Sequence, residues 1–81
     1  MFNNKLEEAL QQVEMAERNL LDAQGNNDPQ HYQRAAQDIH YAQALLTSIH
    51  DSMMSAPEEE QKQYLHAKER MRILQEAHSS L

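Results

Sequence analysis

The strongest constraint on the fold is a seven-residue repeat of apolar side chains, which occurs in three segments of the 81-residue chain. Such spacing places apolar residues along one face of an α-helix. Strict alternation of apolar and polar residues, the pattern of a β-strand, extends nowhere beyond a few residues. The sequence therefore predicts an all-α fold. The a and d positions of the repeats are Leu6, Ala9, Val13, Ala16, Leu20, Ala23, Tyr32, Ala35, Ile39, Ala42, Leu46, Ile49, Met53, Tyr64, Ala67, Met71, Leu74 and Leu81.

The first interruption of the repeat begins at Gly25, the only glycine in the chain. Glycine can adopt the left-handed conformation that closes many helices, so we expect Gly25 to end the first helix. Asp28 can accept free backbone N–H groups of a new helix, and Pro29 suits the first helical position. The sequence therefore predicts a helix end followed closely by a helix start.

The second interruption surrounds Pro57, which cannot continue a preceding helix. Ser55 and Glu58 are three residues apart, the spacing of a capping box at the start of a helix. Two interruptions divide the chain into three predicted helices within a single domain, residues 1–81. Their expected ranges are about 4–24, 29–54 and 57–79.

The short connections favour an antiparallel three-helix bundle with up-down-up topology. Alanine at most d positions lets neighbouring helix axes approach closely. Leu65 and Ile73 lie off the apolar stripe of the third helix, where a simple bundle would leave them exposed. They are ordinary surface residues or, in the interpretation that we favour, cover a second helix face in a homodimer.

Charge is distributed unevenly along the chain. Residues 1–61 hold three basic and eleven acidic side chains, a net charge of −8, whereas residues 62–81 hold four basic and two acidic ones, a net charge of +2. The total of −6 disfavours duplex nucleic acid or an anionic membrane as the main partner.

Two basic residues lie beside the seam of the third helix, and we expect them to face carboxylates of its neighbours. Lys68 and Arg70 occupy e and g positions. At the matching levels, helix 2 offers Asp38 and helix 1 offers Glu14 and Glu17. Exposed pairs of this kind contribute only about 0.2–1 kcal/mol each, so they select the register more than they stabilise the fold.

The chain contains no cysteine, which excludes disulfides and thiolate chemistry. Its longest strictly apolar run is Ala44–Leu46, far short of the roughly 20 residues of a membrane-spanning helix. The first residues also lack the basic and apolar regions of a secretory signal. We therefore expect a cytoplasmic protein.

Five histidines raise the question of a metal site. No glutamate has a histidine three residues later, and no two histidines are four residues apart, so the metal-binding patterns of helical bundles and zinc proteases are missing. The nearest approach is His66 with Glu69. We predict no catalytic residues, no cofactor and no metal; a metal-binding bundle or a small enzyme using His and Glu side chains is the alternative.

The remaining function class is protein–protein interaction, which would make the chain an adaptor or regulatory module. No residue pattern identifies its protein partner. Methionine adapts to irregular surfaces and serves either in docking faces or as filler in a core. Both interpretations stay open for the methionines. The candidate interaction residues are Leu65, Met71, Ile73, Met53 and Met54.

Three stretches carry a resemblance to a known family: Leu10 through Gln24, the run from Tyr32 to Leu46, and Ser55 through Gln75. They resemble the YtzC-like proteins, a small family of Bacillus relatives without an assigned activity. The resemblance covers most of the chain and implies a bacterial, cytoplasmic origin. It supplies no catalytic or binding residues.

Overall fold

The computed structural model of the protein describes residues 4–25 and 28–79 and confirms the all-α prediction, since these residues contain helices and turns but no strand. Over these two described ranges the chain forms four helices, where the repeats predict three. Their bounds are Asn4–Gln24 for α1, Pro29–Ser48 for α2, His50–Met54 for α3 and Glu58–Ser79 for α4.

The turn between α1 and α2 begins at Gly25, but not through a left-handed conformation. Gly25 has a negative φ, and its N–H donates to the carbonyl of Leu21 at 3.1 Å, which continues the helical pattern by one residue. The left-handed conformation expected of Gly25 is therefore wrong, whereas the predicted end of the first helix is confirmed, because α1 ends at Gln24. Asp28 caps α2 as predicted, because its side chain accepts from the N–H of Gln30 at 2.9 Å while Pro29 opens the helix.

The predicted middle helix is interrupted at Ile49, which separates α2 from α3. The hydroxyl of Ser48 donates to the carbonyl of Leu45 at 2.7 Å, and the N–H of Ile49 also donates to that carbonyl at 3.2 Å. A serine that bonds back to the preceding turn commonly bends a helix. Ile49 has a ψ of 3°, outside the helical range, so the single helix expected over 29–54 is two helices.

The turn before α4 also differs from the expected capping box. Ser55 is the C-terminal cap of α3, and its backbone N–H points to the carbonyl of Met53. The side chain of Gln61 satisfies the end of α3 by donating to the carbonyl of Met54 at 3.1 Å. A contact across the turn therefore replaces the expected Ser55–Glu58 pair, and α4 begins at Glu58.

Buried side chains from all four helices form a hydrophobic core. Every one of them occupies an a or d position of the repeats. Of the other predicted core positions, Ala23 is half-buried, Tyr32 is exposed, and Leu81 lies outside the described residues. The buried residues are Leu6, Ala9, Val13, Ala16, Leu20, Ala35, Ile39, Ala42, Leu46, Ile49, Met53, Tyr64, Ala67, Met71 and Leu74.

Polar contacts link the helices around this core. The predicted pairing of Arg70 with Glu17 is confirmed, and the Arg70 Nε donates to a Glu17 carboxylate oxygen at 3.2 Å. Asp38 instead accepts from the amide of Asn19. Lys68 lies over the ring of Tyr64, with its ammonium nitrogen 5.5 Å from the ring centroid.

Candidate functional site

An open, largely apolar groove lies between α3 and the first half of α4. Its volume is about 280 Å³. The most exposed apolar side chains along it are Met54 and Leu65, which are 69% and 60% exposed. We call this feature the α3–α4 groove, and its lining residues are His50, Met53, Met54, Gln61, Tyr64, Leu65 and Lys68.

Tyr64 connects the groove to the core through its hydroxyl group. The ring is 5% exposed, and the hydroxyl donates to the backbone carbonyl of Leu46 at 3.3 Å. The same hydroxyl lies 3.0 Å from the Nδ1 of His50. Because the hydroxyl has one proton, both contacts are satisfied when His50 donates to Tyr64 and Tyr64 donates to Leu46. The two side chains thus connect α3 and α4 to the end of α2.

Burial also affects the acidity of Tyr64. Removal of the ring from water disfavours the charged phenolate, which raises the pKa of Tyr64 above its ordinary value of 10.0. The side chain is therefore a neutral hydrogen-bonding group near neutral pH. Its hydroxyl proton is donated to the Leu46 carbonyl, which links α4 to the end of α2.

The structure divides the five candidate interaction residues into three groups. Met71 and Met53 are buried, with 1% and 2% of their surface exposed, so neither presents a face to a partner, although Met53 forms part of the groove wall. Met54 and Leu65 meet at the groove from different helices. Ile73 is 53% exposed and does not line the groove.

Leu65 and Ile73 do not form one continuous apolar surface. They are eight residues apart, which is about 12 Å along a helix axis. Arg72 lies in this interval, bonded to Glu69 and, at 2.8 Å, to Glu76. The hydrogen bond and charge of Arg72 lower the pKa of Glu69, which is the mark of an ion pair on a solvated helix face.

A second cavity, of about 310 Å³, lies between α2 and the end of α4. Two histidines, His40 and His78, line it, and the ring of His78 stacks on Tyr32 with 4.3 Å between centroids. Across residues 4–25 and 28–79, no group of three or more His, Asp or Glu side chains is arranged to hold a metal ion. His66 and Glu69 belong to no such group, and the alternative of a metal-binding bundle stays a prediction.

Sequence reasoning missed the polar residues of the groove, namely His50, Gln61, Tyr64 and Lys68. One signal was present, because Tyr64 occupies a core position and a buried tyrosine hydroxyl usually finds a hydrogen-bond partner. The identity of that partner depends on how α4 returns along α3 after the turn at residues 55–57. The repeat alone does not specify this return.

No protein-family model, curated protein or solved structure matches the chain. The resemblance to the YtzC-like family therefore stays a prediction. Among the described helices, none has a stretch of sufficient length and hydropathy to cross a membrane. The cytoplasmic location also stays a prediction.

Proposed function

We propose that this protein is a non-enzymatic interaction module that binds a protein partner in the α3–α4 groove. The observation that carries the proposal is the position of Met54 and Leu65, two strongly exposed apolar side chains beside one groove. Isolated apolar residues on a surface are ordinary, but apolar residues grouped around a concave feature favour binding.

We further propose that the helices form an antiparallel three-helix bundle, in which α2 and α3 together make the middle arm. Contacts of Asn19 with Asp38 and of Glu8 with Tyr41 support opposite directions for the first two arms. The Tyr64–Leu46 bond and the stacking of Tyr32 on His78 together give similar support for opposite directions of α2 and α4. In this arrangement the groove lies at one end of the bundle, where a partner can approach without opening the core.

The size of the groove favours side chains of a protein over a small-molecule substrate. A volume near 280 Å³ is slightly below the range, about 300–1,000 Å³, that small-molecule sites occupy. An open groove of this size therefore suits apolar side chains of a protein better than a drug-sized ligand. Methionine suits such a surface because its unbranched chain adapts to different shapes.

Site-specific photo-crosslinking tests the proposal. A photo-reactive amino acid replaces Leu65 or, as the matched control, Ile73, in cells that naturally produce the protein. Both positions are exposed and lie on α4, but only Leu65 lines the groove. We expect a discrete protein adduct from position 65 and a much weaker one from position 73.

Two results would overturn the proposal of a foreign partner at the groove. Equal amounts of adduct from both positions would show that a partner binds the groove no more than the rest of the α4 surface. A product of twice the mass of the chain from position 65 would identify a self-interface instead. That second result would support the homodimer, which stays a prediction.

A further inference from the structure

Lys68 gives the α3–α4 groove a local charge opposite to that of the whole chain. The chain carries a net charge of −6, yet the groove is lined by one lysine and no carboxylate. Within the described residues, Lys62, Arg70 and Arg72 form salt bridges with glutamates. The ammonium group of Lys68 lies over the Tyr64 ring at the groove and, among the residues that the structure describes, enters no such bridge.

We propose that the partner segment is an amphipathic helix with an acidic edge. Its apolar side chains would occupy the groove beside Met54 and Leu65, while a carboxylate on its edge would pair with Lys68. Helices that bind in grooves commonly combine apolar anchors with flanking charges that determine orientation. This inference rests on the proposed function, because it specifies the chemistry of the partner at the same groove.

The net charge of the chain opposes this pairing at long range, so ionic strength decides which effect prevails. At physiological salt the Debye length is about 8 Å, and charges beyond that distance are largely screened. A carboxylate in contact with Lys68 lies well inside this distance. The local pair therefore determines specificity at physiological salt, while low salt would favour non-specific attraction of basic segments to the acidic remainder of the surface.

Two model peptides test the inference by NMR titration of the isotope-labelled protein at physiological salt. Both are amphipathic helices with identical leucine positions, and they carry either glutamates or lysines along the edges of the apolar face. We expect the glutamate peptide to shift the backbone signals of Met54, Leu65 and Lys68. We expect the lysine peptide to bind the groove more weakly.

A charge-reversal variant and a matched control identify the residue responsible. Lys68→Glu is expected to weaken binding of the glutamate peptide by about five-fold, as for the loss of an exposed ion pair and its replacement by repulsion. The same change should strengthen binding of the lysine peptide. Lys62→Glu is the control, because Lys62 lies on the same helix, pairs with Glu58 and does not line the groove.

The outcomes separate this inference from the proposed function. If both peptides shift the groove signals equally and Leu65→Ser abolishes both effects, the acidic partner is wrong and the groove still binds helices. Equal weakening by Lys68→Glu and Lys62→Glu would also contradict the acidic partner. If neither peptide shifts the groove signals at any concentration tested, both proposals fail.

Discussion

The same seven-residue repeat gives close packing in the α1–α2 pair and leaves a groove in the α3–α4 pair. Four of the five buried alanines lie in α1 and α2, which are also the two helices that contact each other most extensively. The α3–α4 pair joins a helix of only five residues to one whose buried side chains include Tyr64 and Met71. Small side chains allow close packing, whereas a short helix beside large side chains leaves a groove.

The largest change in the free energy of unfolding is expected where α1 and α2 pack closely together. Ala42 is completely buried, so Ala42→Leu forces additional methylene groups into a filled space and should destabilise the protein by about 1–3 kcal/mol. Urea denaturation measures the free energy of unfolding. Ala44→Leu is the control on the same helix, because Ala44 is exposed, and it should leave stability almost unchanged. Equal effects of the two substitutions would mean that the seam is loosely packed.

A smaller loss of stability is expected at the α3–α4 pair. Tyr64→Phe removes the donor to the Leu46 carbonyl and should cost about 1 kcal/mol at neutral pH. The control is Tyr41→Phe, since the Tyr41 hydroxyl donates to Glu8 at 3.3 Å on the exposed surface, and its cost should be smaller. A Tyr64→Phe protein as stable as the parent chain would exclude a structural role for the hydroxyl.

The same tyrosine predicts a dependence on alkaline pH. Because burial raises the pKa of Tyr64 in the folded state, the folded protein holds its proton more tightly than the unfolded chain. This contribution to stability is fully present below the ordinary value of 10.0 and is lost as pH rises through the raised folded-state pKa. Denaturation of the parent chain and of Tyr64→Phe across this range measures the difference, which should shrink with rising pH. A constant difference would contradict the assignment.

The smallest effect is a gain of stability at the first turn. Gly25 has a negative φ, and a Cβ added there would meet the carbonyl oxygens of Leu21 at 3.7 Å and of Asp22 at 4.0 Å, both ordinary contacts. Gly25→Ala should therefore stabilise the protein by about 0.4–1 kcal/mol, because it restricts the unfolded chain. Thermal denaturation measures the change. A loss of stability would indicate the left-handed conformation that the sequence favours.

The seven-residue repeat predicts the buried residues well, because burial on a helix depends mainly on which face a residue occupies. Met53 and Met71 illustrate the point, since their a positions indicated the core even while we considered them for an interaction surface. The break at Ile49 was not predictable from the repeat, which continues through it. The break depends on the Ser48 hydroxyl, which donates a hydrogen bond to the Leu45 carbonyl. The spacing of apolar residues does not predict such a side-chain-to-backbone bond.

The candidate site was less predictable than the core. Leu65 and Met54 stand out in the sequence as apolar residues off the stripe or at a helix end, but nothing there places them beside one another. Their proximity depends on the turn at residues 55–57 and on the Gln61 side chain that holds it. To predict a surface formed by two helices, one must know the direction of the second helix relative to the first. The repeat does not contain that information.

Amide hydrogen exchange, measured residue by residue by NMR, tests most directly whether α3, beside the groove, is packed less tightly than the α1–α2 pair. Backbone amides exchange quickly where few buried contacts hold a helix and slowly in a close-packed core. We predict strong protection at Val13 and Ala42, in the α1–α2 pair, and much weaker protection at Met53 and Met54. Equal protection in the two pairs would contradict the comparison, because α3 would then be held as tightly as the alanine-lined seam.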